Sequence, residues 1–331
     1  MTPDLRVGVI GAGYWGKNLV RASAELGVLA AACDADRNAR AALSAAYPGV
    51  TICGGVEEIL ALEIDAVIVA TPAPTHAPIA LAALAAGKHV FVEKPLALEV
   101  EDGERIDAAA HRAGKIAFVG HLLLYHPAVR RLREVIAQGS IGETWHFRSR
   151  RIKLGIVRSA ESVWWSFAPH DVALMIAVLG AEPVAATAAQ VGVLQPAISD
   201  MTYADFQFGN GSSAHIEVSW LDPQALARVE VFGTEGVLVL EDSRAGSSLR
   251  RFALGARSTA DGRLEAWRGD TTDVEISAQE PLRAELLAFL HAVRTGEPPE
   301  TGAAQGIAVL RALRMVDRAA SRTFAARGVP A

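Results

Sequence analysis

The chain has 331 residues, a formal net charge of −5, 51% hydrophobic residues and 21% charged residues. This length favours two domains over a single core, and the apolar content is that of a folded globular protein. The negative charge gives no general attraction to nucleic acids. The most apolar stretch, residues 77–86, is far shorter than the roughly 20 residues of a membrane span. We therefore expect a folded protein that binds neither nucleic acid nor membrane.

Two features of the sequence bear on its compartment and on metals. The only cysteines are Cys33 and Cys53, too few for a disulfide framework and without the clustered spacing of a zinc site. Residues 1–6 lead directly into an apolar segment and lack the regions of a secretory signal. We expect a reducing, cytoplasmic location and no metal site.

Residues 5–120 alternate short apolar segments with longer alanine-rich periodic segments, the pattern of a parallel sheet covered by helices. Gly27, Gly87 and Gly114 follow three of the periodic segments and are placed as helix ends. The repeated βα unit predicts an α/β fold with a doubly wound, Rossmann-type sheet, and we place this domain at residues 1–121. The predicted strands are 5–10, 29–33, 66–70, 89–92 and 116–119, and the predicted helices are 15–26, 37–46, 75–86 and 100–113.

After residue 121 the pattern changes to polar alternation, which predicts a second, α+β domain over residues 122–331 with a largely antiparallel sheet. The turns Gly209-Asn210-Gly211 and Gly233-Thr234-Glu235-Gly236 are placed as hairpin connections. Residues 243–262, rich in Ser, Gly and Arg, are predicted as a flexible edge or an insertion. The predicted strands are 145–152, 184–193, 202–208, 213–220, 229–232 and 237–240, and the predicted helices are 127–138, 282–294 and 303–326.

The segment Gly11-Ala12-Gly13-Tyr14-Trp15-Gly16 is a G-x-G-x-x-G motif that follows an apolar strand and begins a predicted helix. Gly11 allows the tight turn, Gly13 lets a pyrophosphate approach the backbone, and Gly16 allows the helix to pack closely on the strand. We therefore predict a dinucleotide site here, with Tyr14 and Trp15 among its contacts.

Asp34 lies eighteen positions after Gly16, near the spacing at which an acidic residue accepts hydrogen bonds from the ribose hydroxyls. Its charge would repel a 2′-phosphate, so the sequence favours NAD over NADP. Arg37 would weaken that preference if it faced the ribose, and is otherwise an exposed helix charge.

A second group of predicted cofactor contacts follows the strand at residues 66–70. Thr71, Pro72 and His76 lie in a loop at the carboxyl end of that strand, where ligands of such sheets bind. For His76 a solvated helix cap is an equally good interpretation.

The sequence Glu93-Lys94-Pro95 follows the fifth predicted strand. With the glycine motif, Asp34, Ala70-Thr71-Pro72 and Ala86-Gly87-Lys88-His89-Val90, it makes almost the whole chain resemble the glucose-fructose oxidoreductase, inositol dehydrogenase and MocA (Gfo/Idh/MocA) family. The resemblance implies an NAD-dependent oxidoreductase.

The resemblance also implies roles for residues at the end of the fifth and sixth strands. Lys94 would lie beside both the nicotinamide and the reacting hydroxyl, where its charge stabilises a developing alkoxide. Glu93 and His121 are expected to contact the cofactor, and Tyr125 to line the substrate pocket.

The second-domain motif is Trp164-Trp165-Ser166-Phe167-Ala168-Pro169-His170-Asp171, at the start of a predicted helix. We predict that His170 is the general base, because imidazole titrates near neutral pH. The residue pattern also fits a structural His balanced by Asp171. Many relatives carry Asp where this chain has Ser166, so we expect Lys94 and His170 to act together as the catalytic pair.

The basic segment at residues 148–158, R-S-R-R-I-K-L-G-I-V-R, precedes the histidine motif. Its Arg and Lys side chains fit two interpretations equally, a grip on a diphosphate or the alternating exposed charges of a strand. The expected substrate contacts are Lys94, Tyr125, Arg151, Lys153, Arg158 and His170.

Together with Gly120-His121 and Ser219-Trp220-Leu221, this segment makes the chain resemble one subgroup of the family. That subgroup is similar to UDP-N-acetylglucosamine 3-dehydrogenases. That resemblance implies oxidation at C3 of a nucleotide sugar, giving a 3-keto sugar for amino sugar biosynthesis. The alternatives are a dehydrogenase or reductase of a free sugar or polyol such as inositol, and a non-catalytic NAD-sensing regulator. Relatives have a sheet face free of helices, which implies a homodimer or homotetramer.

Overall fold

A computed structural model describes residues 5–195, 197–243 and 246–324. These residues form two compact units. The first unit contains residues 5–122 and 280–310, and the second contains residues 123–279 and 311–324. The last helix therefore begins in the first unit and ends in the second.

The first unit is built on a six-stranded parallel sheet with the order β3-β2-β1-β4-β5-β6. This order is that of a doubly wound sheet, so the predicted Rossmann fold class is confirmed. The strands are β1 (Val7–Ile10), β2 (Leu29–Cys33), β3 (Thr51–Cys53), β4 (Ala66–Val69), β5 (His89–Glu93) and β6 (Ala117–Gly120). The helices are α1 (Gly16–Glu25), α2 (Arg37–Ala46), α3 (Val56–Leu60), α4 (His76–Ala85) and α5 (Val100–Ala113).

Local signals account for most of these boundaries. Every residue of β1 and of β4 is buried, as expected for strands covered on both faces. The Asp36 side chain accepts a hydrogen bond from the Asn38 backbone N–H and begins α2, and Gly114, with a φ of +60°, ends α5. The short elements β3 and α3 were not predicted, because three and five residues give too little periodicity.

The second unit is built on a nine-stranded sheet with the order β14-β13-β12-β11-β7-β10-β9-β8-β15. Six of its eight neighbouring pairs are antiparallel, while β7 with β10 and β8 with β15 are parallel, so the prediction of a largely antiparallel sheet is confirmed. The strands are β7 (Thr144–Leu154), β8 (Ala185–Gly192), β9 (Met201–Gln207), β10 (Ser213–Ser219), β11 (Leu221–Gly233), β12 (Gly236–Ser243), β13 (Gly246–Ser258), β14 (Leu264–Val274) and β15 (Ala320–Phe324). The helices that follow β6 are α6 (Pro127–Ala137), α7 (Val163–Leu179), α8 (Pro281–Thr295) and α9 (Ala303–Ala319).

Two predictions about this part of the chain are wrong. Within the predicted flexible edge at residues 243–262, Gly246–Ser258 form the regular strand β13, which pairs with β12 and β14, and residues 244–245 lie outside the described part. The predicted helix at 303–326 ends at Ala319, because β15 pairs with β8 from Ala320 onward. Residues 325–326 of that prediction lie outside the described residues.

The described residues contain neither a membrane-spanning helix nor a cluster of metal ligands. None of their helices is both long and apolar enough to cross a bilayer. No group of three or more His, Cys, Asp or Glu side chains within residues 5–195, 197–243 and 246–324 could hold a metal ion.

Candidate functional site

The glycine motif forms the turn between β1 and α1, and each glycine has a distinct environment. Gly11 has a φ of +91°, and a Cβ atom there would be 2.8 Å from the Ala70 carbonyl oxygen. A Cβ atom on Gly16 would be 1.9 Å from the Gly11 carbonyl oxygen. A Cβ atom on Gly13 would have no atom within 4 Å. Gly11 and Gly16 are therefore required by the fold, whereas the space beside Gly13 is open.

Asp34 follows β2 and reaches back to the glycine motif. Its Oδ2 accepts a hydrogen bond from the Ala12 backbone N–H at 2.7 Å, and its Oδ1 accepts one from the Asp36 N–H at 2.8 Å. The carboxylate is thus held at the carboxyl end of β2, beside the turn that holds phosphates in this fold. Arg40 donates to the Asp34 and Ala35 carbonyl oxygens, so its charge is held on the backbone of this turn.

The predicted contacts at residues 71–76 form a loop and the start of α4. The Thr71 and Thr75 hydroxyls are 2.7 Å apart, and Pro72 is exposed. The His76 ring is 1% exposed, with Nδ1 2.7 Å from the Pro95 carbonyl oxygen and Nε2 2.8 Å from the Thr71 carbonyl oxygen. The solvated cap that was the alternative for His76 is therefore wrong, because the ring is buried between backbone groups.

Glu93, Lys94 and Trp15 are brought together where β5 ends. The Trp15 indole Nε1–H donates to Glu93 Oε1 at 2.6 Å, and the Lys94 backbone N–H donates to Glu93 Oε2 at 3.2 Å. Burial raises the pKa of Glu93 to about 7, although these donors and the Lys94 charge act in the opposite direction. Tyr14, the other aromatic residue of the motif, is 76% exposed, with the Lys17 ammonium 5.6 Å from its ring centre.

His121 follows β6 and is 1% exposed. Its Nδ1 lies 2.6 Å from Oε1 of Gln305 on α9. Because an amide oxygen only accepts, Nδ1 carries the proton and Nε2 is left as the basic nitrogen. Burial, helped by the Lys94 charge, lowers the pKa of His121 to about 4, so this ring is neutral at physiological pH.

In the second unit, the predicted histidine motif lies in α7. His170 is half-buried and lies in the third turn of this helix. The adjacent Asp171 is fully buried and accepts three hydrogen bonds. Ser149 Oγ donates at 2.6 Å, Arg151 Nε at 2.7 Å and Arg151 Nη2 at 3.1 Å. Asp171 thus fastens α7 to β7 through a two-pronged ion pair.

The alternation of β7 divides the basic segment between the two faces of the sheet. Arg148 pairs with Glu230, and Arg150 pairs with Glu217 at 2.6 Å, across neighbouring strands. Ser149 and Arg151 face α7 instead. The interpretation as alternating strand charges therefore holds for Arg148 and Arg150.

The remaining predicted substrate contacts lie at the end of β7, in the segment that follows it, and before α6. The Lys153 ammonium is exposed and 5.1 Å from the Phe167 ring centre. Arg158 pairs with Glu161 at 3.1 Å and remains 48% exposed. Tyr125 is 2% exposed, with the Arg130 guanidinium 5.1 Å from its ring centre.

Two residues of these clusters were not predicted from the sequence. Ser149 shares the face of Arg151 by strand alternation, so a period of two would have found it. Gln305 lies 184 positions from His121, and no local pattern connects the two.

Comparisons with known proteins agree with this arrangement. The family model described as an oxidoreductase family with an NAD-binding Rossmann fold matches residues 5–121, and the GFO/IDH/MocA C-terminal domain model matches residues 129–239. UDP-N-acetylglucosamine 3-dehydrogenase of Acidithiobacillus ferrooxidans is 29% identical over 324 residues, which cover 98% of this chain and 99% of that protein. Inositol 2-dehydrogenase 3 of Saccharopolyspora erythraea is 37% identical over 142 residues, 42% of each chain.

Solved structures show the same relationship. The structure of UDP-N-acetylglucosamine 3-dehydrogenase from Acidithiobacillus ferrooxidans aligns with a TM-score of 0.84 and 27% identity, over 96% of this chain and 97% of that one. The family resemblance predicted from the sequence is confirmed, and with it the NAD cofactor. The chain belongs to the Gfo/Idh/MocA family of NAD-binding oxidoreductases.

Proposed function

We propose that the chain oxidises a sugar hydroxyl to a ketone and transfers the hydride to NAD, and that its substrate is a nucleotide sugar such as UDP-N-acetylglucosamine, oxidised at C3. The observation that carries this proposal is the similarity to a UDP-N-acetylglucosamine 3-dehydrogenase along essentially the whole length of both chains. A cofactor domain shared alone would leave the substrate open, but this similarity includes the second unit as well.

In this proposal the glycine motif and Asp34 hold the dinucleotide. The α1 N-terminus and the open space at Gly13 receive the pyrophosphate, and Asp34 accepts hydrogen bonds from the ribose hydroxyls. The other expected cofactor contacts are Tyr14 and Trp15 in the glycine motif, and Thr71 and Pro72 in the loop after β4. NAD, when bound, supplies the hydride acceptor.

We assign the chemical step to Lys94 and His170. His170 takes the hydroxyl proton as the general base, and the Lys94 ammonium stabilises the negative charge that develops on the oxygen. Neutral His121 offers Nε2 as a hydrogen-bond acceptor, since Gln305 fixes the proton on Nδ1.

For the substrate, we assign the diphosphate to Lys153 and Arg158, whose charged groups are exposed. Two guanidinium nitrogens of Arg151 are held by Asp171, so its part is to present the remaining nitrogen in a fixed orientation. Tyr125 supports the pocket as a buried aromatic.

Two expectations of the sequence remain proposals. The first is a cytoplasmic location. The second is a homodimer or homotetramer, formed through the sheet face that bears Arg148 and Arg150, which size-exclusion chromatography with light scattering would test.

A panel of sugar nucleotides and free sugars tests the function, with NAD reduction followed by absorbance. We expect turnover with UDP-N-acetylglucosamine, loss of turnover in Lys94→Ala and His170→Ala, and NAD affinity kept in both. His111→Ala, a change of a largely exposed histidine on α5, is the control and should behave as wild type.

The same panel decides between the substrate classes. Turnover of inositol but of no sugar nucleotide would favour the polyol alternative. Tight NAD binding without turnover of any compound would refute the enzyme assignment.

A further inference from the structure

The buried ring of His76 joins two neighbouring loops of the sheet. Strands β4 and β5 are paired, and the loops that follow them contain Thr71 and Lys94. The His76 ring contacts the carbonyl oxygen of Thr71 at 2.8 Å and the carbonyl oxygen of Pro95, directly after Lys94, at 2.7 Å. One side chain therefore connects the loop that follows β4 with the loop that follows β5.

We propose that His76 is a positioning residue for Lys94, acting through a hydrogen bond to the Pro95 carbonyl oxygen. The inference rests on the proposed function, in which Lys94 meets the reacting hydroxyl. His76 itself touches neither substrate nor the reacting atoms in this assignment.

The hydrogen bond to the Pro95 carbonyl oxygen matters because little else holds the backbone after β5. The β5 ladder ends at Glu93, so the backbone after Lys94 is no longer held by strand pairing. Pro95 is buried, and a buried carbonyl oxygen that loses its donor costs stability or moves toward another donor. A shift of the Pro95 carbonyl carries the Lys94 backbone with it.

The protonation state of the His76 ring distinguishes its contact with Pro95 from its contact with Thr71. Burial lowers the pKa of His76, and the Lys94 charge adds to this effect. A neutral imidazole has one N–H and donates to one carbonyl oxygen at a time. Asn places an amide near the Nδ1 position and Gln near the Nε2 position, so His76→Asn keeps a donor for Pro95, and His76→Gln keeps one for Thr71.

The test compares His76→Asn, His76→Gln and His76→Leu, with His111→Asn as the exposed control. The first readout needs neither cofactor nor sugar. The chain has only five lysines, so ¹³C-methylation of the whole protein gives few NMR signals, and Lys94→Arg assigns the one from Lys94. The second readout is kcat together with the NAD dissociation constant.

We expect the Lys94 signal to keep its position in His76→Asn and to move in His76→Gln and His76→Leu. Turnover should fall at least about tenfold in the latter two, as expected for a displaced catalytic group. In His76→Gln, which keeps the contact with Thr71, the NAD dissociation constant should change far less than kcat, because Lys94 does not hold the pyrophosphate. If His76→Leu does not fold, the two amide variants still carry the comparison.

The proposal is overturned if the Lys94 signal is unchanged in all three variants, or if His76→Asn is no better than His76→Gln. A purely structural role would lower kcat in step with thermal stability and would not distinguish the two amides. Wild-type protein that oxidises no sugar would refute the proposed function, while the NMR comparison would still decide the role of His76.

Discussion

Substituting Gly13 separates cofactor binding from folding within one motif. In Gly13→Ala, the new methyl group meets no atom within 4 Å, and the φ of Gly13 is not in the left-handed region. Such a change stabilises a folded chain by about 0.4–1 kcal/mol, because the unfolded chain loses freedom. The melting temperature should therefore stay level or rise by a few degrees, by about 2–4 °C per kcal/mol.

The same methyl group should weaken NAD binding. It fills the space through which the pyrophosphate reaches the backbone N–H groups of the turn, and a hydrogen bond to a charged group contributes about 1.5–3 kcal/mol. Loss of one such bond corresponds to about 10- to 150-fold weaker binding. Isothermal titration with NAD measures the loss, and differential scanning calorimetry measures the stability.

Gly16→Ala is the matched control, three positions along the same turn. Its Cβ atom would be 1.9 Å from the Gly11 carbonyl oxygen, so the helix must shift, at a cost of about 1–3 kcal/mol. This variant should melt lower than wild type, unlike Gly13→Ala. Wild-type NAD affinity in Gly13→Ala would refute the assignment of this space to the pyrophosphate.

Three further changes test other parts of the structure. Asp171→Asn leaves Arg151 without its counter-charge and should destabilise the protein by about 3 kcal/mol in urea unfolding; an unchanged midpoint would contradict the role of this ion pair. Burial raises the pKa of Glu93 to about 7 in the folded protein, whereas the unfolded chain loses this proton near pH 4.5, so the stability of the fold should fall as pH rises through that window. Buried Glu285, whose pKa is also raised, contributes a dependence of the same sign, so Glu93→Gln should weaken the dependence in melting curves at pH 5 and pH 8. Parallel curves for both proteins would count against the role of Glu93. Asp34→Ala should weaken NAD binding and reduce the preference for NAD over NADP, which titrations with both cofactors would show; an unaltered ratio would mean that Asp34 does not meet the ribose.

The parts of the fold that were predicted correctly are those encoded by neighbouring residues. The bounds of α2 and α5 agree with the prediction at both ends, since a capping Asp36 and a left-handed Gly114 mark them locally. The turns at residues 209–211 and 233–236 join antiparallel pairs as expected, because glycine supplies the required backbone freedom.

The errors concern segments without a buried face or with distant partners. Nearly all of β14 is exposed, so it has no apolar alternation, and the hairpin with β13 read as an irregular insertion. The strand β15 depends on pairing with β8, which lies more than 100 residues earlier. Residues 280–310 belong to the first unit, whereas the limits of 1–121 and 122–331 place them in the second domain.

In the candidate site, too, the features set by neighbouring residues were predicted and those that depend on distant partners were not. The glycine motif and Asp34 were found from spacing, because the βα turn that uses them is local. The bonds that fix His121, His76 and Asp171 join separate elements, and only the folded chain shows that Gln305, Pro95 and Ser149 supply the partners.

The most direct test of the account is hydride transfer from UDP-N-acetylglucosamine carrying deuterium at C3. With NAD present, we predict that the deuterium appears in the reduced cofactor and that the chemical step is slower than with the unlabelled sugar. Reduced cofactor without deuterium would show that another carbon is oxidised, and no reduction with this or any other sugar would contradict the assignment of the chain as a sugar dehydrogenase.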